Sequence, residues 1–154
     1  MRKVDIAEFL KVGLGVFVAT RDSENVPHGV AGSALVLEGD NRAVVFVPEY
    51  ECAQLVDDIH ANGAIAVLVD QPTTHRGYQL KGRALAVRDE TPAEAAEVRA
   101  FVGRLMDEYA TIGVTPEVIE RLVFWPCRAI EFEYDAVFEQ TPGPGAGQAV
   151  RVRS

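Results

Sequence analysis

The segment Glu38-Gly39-Asp40-Asn41 separates two apolar runs, one ending at Leu37 and the next spanning Ala43 to Val47. A loop this short, made of Gly, Asp and Asn, joins strands of opposite direction, because these residues tolerate tight-turn backbone angles. The pair is therefore antiparallel, and the same pattern recurs along the chain. Leu14 to Thr20 reads as a buried strand, and Arg21-Asp22-Ser23-Glu24-Asn25 as a turn. A second strand runs from His28 to Leu37, after Pro27. Ala64 to Val69 is another short strand, and Asp70-Gln71-Pro72-Thr73-Thr74 a loop. Gly77 to Arg88 is a long strand whose Gly82 predicts a bulge or a close backbone approach. Arg128 to Tyr134 alternates and makes the last strand.

Between the strands the period changes to that of a helix. Ile6, Phe9 and Leu10 share one face over residues 5–11, and Ala53, Leu55, Val56 and Ile59 do so over 50–61. Thr91, Pro92 and Glu94 form a capping box with proline at the first helical position, predicting a helix to about Tyr109. Thr115-Pro116 opens a shorter helix through Val123. Strands here do not alternate with helices behind a Gly-rich phosphate loop, which argues against a dinucleotide-binding doubly wound fold. The order predicts an α+β chain: an antiparallel split β-barrel with flanking helices. One domain is expected over residues 1–138, followed by a Pro/Gly-rich tail, 139–154. The tail is either a terminus without regular structure or an arm docked on a neighbouring subunit.

Charge narrows the partners. The 154 residues carry 15 basic and 23 acidic side chains, a net charge of −8. That balance disfavours nucleic acid and anionic membrane surfaces. The N-terminus lacks the apolar core of a signal peptide, and no apolar run is long enough to span a membrane, so a cytoplasmic protein is expected. Cys52 and Cys127 form no C-x-x-C motif and read as buried free thiols.

Common catalytic and nucleotide-binding motifs are absent. Three dispersed histidines give no metal-ligand spacing. The most polar strand is His75-Arg76-Gly77-Tyr78-Gln79-Leu80-Lys81-Gly82-Arg83. Alternation puts Gln79, Lys81 and Arg83 on one face, where they either hold a phosphate or carboxylate or form a solvated sheet face. In Pro27-His28-Gly29-Val30-Ala31-Gly32-Ser33-Ala34, small residues either let a flat ligand lie against the backbone or relieve crowding at a bend. Trp125 is a ligand wall, an interface anchor or a core residue.

These elements together carry a resemblance. Gly15-Val16-Phe17-Val18-Ala19-Thr20, then Val26-Pro27-His28-Gly29-Val30, Val44-Val45-Phe46-Val47, a helix ending near Asn62, Ala64 to Val69, and Gln79-Leu80-Lys81-Gly82-Arg83-Ala84 resemble the pyridoxamine 5′-phosphate oxidase-like, FMN-binding split-barrel family. The resemblance covers residues 8–90 and, loosely, the last strand. It implies a homodimer with FMN in clefts at the dimer interface, and a flavin-dependent oxidoreductase acting on a small substrate. The isoalloxazine contacts fall on Val30 to Leu35; the phosphate falls near the turn after Val47 and on the long strand. Ser33, His75, Arg76, Gln79 and Lys81 are the expected cofactor-binding residues.

The turn itself departs from the family. Glu49-Tyr50-Glu51-Cys52-Ala53-Gln54-Leu55 has no base where the oxidases carry a serine followed by basic residues. Oxidation of vitamin B6 is therefore not expected, and Arg76, Lys81 or Arg83 must supply the positive charge. The alternatives are a non-catalytic split-barrel protein that has lost flavin or binds another cofactor such as haem, and a hydrolase using Ser33 or Cys52.

Overall fold

The computed structural model describes residues 1–152. Its elements are β1 (Lys3–Val4), α1 (Ile6–Phe9), β2 (Gly15–Arg21), β3 (Pro27–Gly32), β4 (Ala34–Glu38), β5 (Arg42–Pro48), α2 (Cys52–Asn62), β6 (Ala64–Asp70), β7 (Gly77–Asp89), α3 (Pro92–Thr111), α4 (Pro116–Ile119), β8 (Cys127–Glu139) and β9 (Ala149–Val152). A single 3₁₀ turn, Glu49–Glu51, leads into α2.

The strands pair in the order β4-β5-β8-β7-β6-β2-β3, antiparallel throughout. No ladder between β3 and β4 closes this sheet among the described residues. The strand expected from His28 to Leu37 is instead two strands, and the break at Ser33 is the split in the barrel. The Ser33 backbone N–H donates to Phe46 O at 2.7 Å, and its hydroxyl donates to Phe124 O at 2.5 Å. On one side of Ser33 the chain pairs with β2, on the other with β5.

Alternation sorts the faces. Val16 and Val18 of β2, Ile65, Val67 and Val69 of β6, Leu80 of β7 and Phe132 of β8 are buried together with Phe46 and Leu55 in one core. The alternate residues of β2 and β7, apart from Gly15 and Gly77, are exposed or half-buried on the outer face. The capping box is present: Thr91 Oγ1 accepts from Glu94 N, and Glu94 Oε2 accepts from Thr91 N. Glu94 also receives both terminal nitrogens of Arg88, at 2.9 and 2.7 Å. These bonds to the carboxylate, chiefly from Arg88, hold Glu94 down at about 2. From the capped end, α3 buries Val98, Phe101, Val102 and Leu105.

Two elements differ from expectation. α4 stops at Ile119 and does not reach Val123. Leu122 and Val123 are 43% and 52% exposed, so no packing favours another turn of so short a helix. The tail does form turns over 140–147, but it then docks on its own chain as β9, antiparallel to β8 and parallel to β1. Residues 153 and 154, the end of the expected tail, lie outside the described residues.

The bulge expected at Gly82 is present, with register shifts between Lys81 and Gly82 and between Ala84 and Ala86. A Cβ at Gly82 would lie 1.9 Å from Glu133 O, so the ladder closes only around glycine. Gly82→Ala is expected to destabilise the fold by about 1–3 kcal/mol in urea unfolding at unchanged m-value. Glu94→Gln tests the capped ion pair. Because the folded pKa is depressed, its contribution is present above about pH 4.3, the unfolded value, and fades as pH falls towards 2. The variant should lose on the order of 1–2 kcal/mol at pH 7 and little near pH 2.

Candidate functional site: the outer face of the sheet

The strand registers fix how outward side chains line up across β2, β6 and β7. Gly15, Asp70 and Gly77 form one row; Phe17, Leu68 and Gln79 the next; Ala19, Ala66 and Lys81 the third. Ala64 and Arg83 continue the face, with Arg21 two residues beyond Ala19 on β2. β3 adds Ala31 beside Phe17, Gly29 beside Ala19 and Pro27 beside Arg21. The seven residues of β2, Gly15 to Arg21, span about 20 Å. The face carries small residues, Ala19, Gly29, Ala31, Ala64 and Ala66, around Phe17 and Leu68, with Asp70 at one end and cations at the other.

A groove of about 720 Å³ lies over the basic half, lined by Ala19, Arg21, Pro27, Ala64, Ala66, Lys81, Arg83 and Leu85, with Glu133 and Asp135 on its far side. That volume matches ordinary cofactor clefts. Arg83 donates to Asn62 O at 2.9 Å, which fixes its guanidinium at the last turn of α2. Arg21 donates to Asn25 Oδ1 at 2.6 Å. The Lys81 ammonium lies 4.9 Å from the centre of the Phe138 ring. A second pocket of about 130 Å³ adjoins the other half, lined by Gly15, Phe17, Ala31, Gly32, Pro48, Tyr50, Leu105, Tyr109 and Leu122 to Phe124.

The basic end is braced from inside. Asp58 of α2 is 1% exposed, yet it is fully hydrogen-bonded. Thr20 Oγ1 donates to its Oδ2 at 2.7 Å, Gln54 Nε2 donates to its Oδ1 at 2.9 Å, and His28 Nδ1 lies 2.7 Å from Oδ2. One carboxylate thus ties α2 to β2 and β3 at the residues next to Arg21 and Pro27. Burial pushes the Asp58 carboxyl up, but the bonds from Thr20, Gln54 and His28 outweigh it and leave it below the ordinary value.

The five expected cofactor residues do not converge. Lys81 lines the groove, and Gln79 stands one row from it, accepting from Gln140 Nε2 at 3.3 Å. Ser33 is buried beneath the smaller pocket. His75 occupies the β6–β7 turn with φ of 56°, and the Arg76 guanidinium lies 5.2 Å from the Phe9 ring centre. Arg76 is thus at the carboxyl end, roughly 15 Å along β7 from Lys81.

The thiols and hydroxyl offer no nucleophile. Burial pushes the Cys127 thiol up to about 11 and also raises Cys52. Both are far from the thiolate range that reactive cysteines need. The Ser33 hydroxyl is engaged by a carbonyl, and the imidazole–carboxylate pair His28–Asp58 lies five residues away along β3, bonded to Thr20. The arrangement therefore suits binding of a flat, anionic group and not acyl transfer. Among the described residues no three side chains group to hold a metal ion, and no helix is long and apolar enough to cross a membrane.

The turn after β5, where the resemblance places the phosphate, is acidic. Glu49 and Glu51 flank that turn, and the cation across from it, Arg128, lies 3.4 Å from Asp89. Arg21 was not foreseen as a site residue, and Arg83 was expected only as a source of positive charge, outside the five cofactor-binding residues. The signal was available, since Arg21 continues the outward alternation Phe17, Ala19 of β2 and Arg83 that of Gln79 and Lys81.

Comparison with known proteins agrees with this architecture. The sequence matches the pyridoxamine 5′-phosphate oxidase family over residues 5–134. No curated protein sequence matches the chain. Among solved structures, an F420 reductase superposes with a TM-score of 0.57 at 18% identity, covering 84% of this chain and 93% of that one. HupZ of Group A Streptococcus superposes at 0.52 and 18% identity, covering 86% and 90%. General stress protein 26 of Bacillus anthracis does so at 0.52 and 12%, covering 87% and 89%.

Asp58→Asn is expected to flatten the acid limb of stability. The wild-type contribution is present above the unfolded Asp value of about 3.9 and is lost as pH falls through the lower folded value. Urea midpoints of the two proteins should differ at pH 7 and converge below pH 3; a constant offset would contradict the assignment.

Proposed function

The chain belongs to the pyridoxamine 5′-phosphate oxidase family, and from that premise we propose that it binds FMN and acts as a flavin-dependent oxidoreductase on a small substrate other than pyridoxamine phosphate. The observation that carries this reading is the flat, small-residued outer face ending in Arg21, Lys81 and Arg83. In it the phosphate meets these three cations by charge-assisted bonds, and the ring system lies on Phe17, Ala19, Ala31 and Leu68. Gln79 stands in the ring's row, where its amide can meet a heterocycle edge. The flavin supplies the electron chemistry, and the protein positions it and excludes water.

The same face argues for a homodimer. Phe17, Tyr50, Leu85, Leu122 and Val123 are 43–65% exposed, an apolar area that a second copy would cover while closing the groove. A second reading, a split-barrel binding protein without flavin, is favoured by Glu49 and Glu51 where the family carries bases.

Titration with FMN, followed by flavin fluorescence, decides between them. Wild type should quench FMN stoichiometrically. Lys81→Ala and Arg83→Ala should each weaken binding by about tenfold, the loss of one charge-assisted bond. Arg76→Ala should change it little. Protein that is colourless and takes up no FMN would overturn the reading.

A further inference from the structure

The outer face does not stop at β7. Gln79 pairs with Phe138 of β8 and Lys81 with Ala136, and Phe138 pairs in turn with Ala149 of β9. Arg151, two residues beyond Ala149, falls on the same face, and Lys3 of β1 is paired with it. The alternate residues, Val137, Val150 and Val4, are buried on the inner side. One residue further along the β8–β9 register, Arg151 comes opposite Ala136. The row of Ala19, Ala66 and Lys81 thus continues through Ala136 to Arg151 and Lys3. The row of Phe17, Leu68 and Gln79 continues through Phe138 to Ala149.

The far end of this row works against the stability of the sheet. Lys3 and Arg151 are like charges placed directly opposite one another, an arrangement that destabilises a strand pair. Among the described residues neither is ion-paired, although the chain has 23 acids for 15 bases. The neighbouring Arg2 does take a carboxylate, Glu139 at 3.0 Å, but Glu139 is buried on the inner side. Asp135, the bulged residue before Ala136, lines the groove with Arg83 and forms no ion pair with Lys3 or Arg151. Two unneutralised cations side by side suit one carboxylate or phosphate, which removes their repulsion and accepts charge-assisted bonds from both. The half-buried Phe138 ring and the small side chains of Ala136 and Ala149 lie next to them, an apolar floor for the body that carries the anion.

We propose that Lys3 and Arg151 are the anion-recognising end of the substrate site. The substrate is a small molecule whose apolar body lies along Phe138 and Ala149, in the row of the flavin ring, and whose carboxylate or phosphate is held by the two opposed cations. This deepens the flavin reading and rests on it only in calling the ligand the substrate. Lys81 stays with the flavin phosphate, two strand spacings, roughly 10 Å, from Arg151 along the row. Both recognising residues lie outside residues 5–134, the part that matches the family, so the specificity belongs to this chain's own ends of sheet. Because the anion binds the folded sheet and relieves a repulsion in it, it also stabilises the fold.

The test is calorimetric titration of the full chain at low salt, without flavin, using 2-naphthoate, 2-naphthyl phosphate and the neutral 2-naphthylmethanol. At least one of the two anions should bind about tenfold more tightly than the alcohol. Lys3→Gln and Arg151→Gln should each weaken that anion by about threefold to fivefold, the worth of one exposed cation, and leave the alcohol unchanged. Arg21→Gln, in the flavin groove, should leave both unchanged. Urea midpoints of the two variants should be equal to wild type or higher, since one of two facing cations is gone. Equal affinities for anions and alcohol, or no binding of any of the three, overturns the proposal. So does an unaltered preference in both variants, a loss in Arg21→Gln as large as theirs, or a lowered urea midpoint in both, which would mark the pair as structural. No flavin is present, so failure of FMN to bind and failure of this site are seen separately.

Discussion

β8 hydrogen-bonds to β5, β7 and β9, and its long ladder with β7 forms only because Gly82 meets Glu133 O with no side chain between them. The bulge at that point shifts the register and strengthens the local twist. The twist lets a single sheet bend until β3 and β4, its two ends, meet at Ser33. Without it, β7 would carry Gln79, Lys81 and Arg83 past β6 at a different angle, and the three outward rows would not align. The outer face depends on a backbone contact that faces the opposite neighbour.

Electrostatics then follow from register. On a protein of net charge −8, the outer face gathers Arg21, Lys81 and Arg83 at one end, with Glu133 and Asp135 of β8 beside them, and leaves Asp70 at the other. Exposed charges like these add little to stability, because solvent screens them. Asp58 and Glu94 behave differently: each carboxylate is held by several donors and joins separate elements, α2 to β2 and β3 in one case, α3 to the end of β7 in the other. These two acids are saturated with hydrogen bonds, whereas Asp70 Oδ1, Glu90 Oε2 and Glu108 Oε2 are buried without a partner among the described residues.

Much of this was legible in the residues because it is local. The hairpin at Glu38-Gly39-Asp40-Asn41, the capping box at Thr91 and the bulge at Gly82 each declare themselves within a few positions. The shared face of Gln79, Lys81 and Arg83 follows from alternation alone. The break at Ser33 was not legible, because it arises when one strand exchanges β2 for β5, and both partners are fixed by pairing elsewhere. Arg21 looked like part of a turn until its place at the end of β2 was known. Asp70 looked like the start of a loop, and only its pairing with Gly15 and Gly77 isolates it. The grouping of His75 and Arg76 with Lys81 reflected closeness in sequence; an extended strand converts a gap of five residues into a separation of roughly 15 Å.

The Arg83 guanidinium bonded to Asn62 O serves two masters: it closes the last turn of α2, and it faces the groove. A helix C-terminus carries partial negative charge and is steadied by such a cation. An anion entering the groove competes for that cation with the carbonyl of α2. Occupancy of the groove would thereby act directly on the last turn of α2, since Asn62 and Arg83 both line it. The fraying of α2, visible as amide hydrogen exchange in its final turn, becomes a gauge of what lies in the groove.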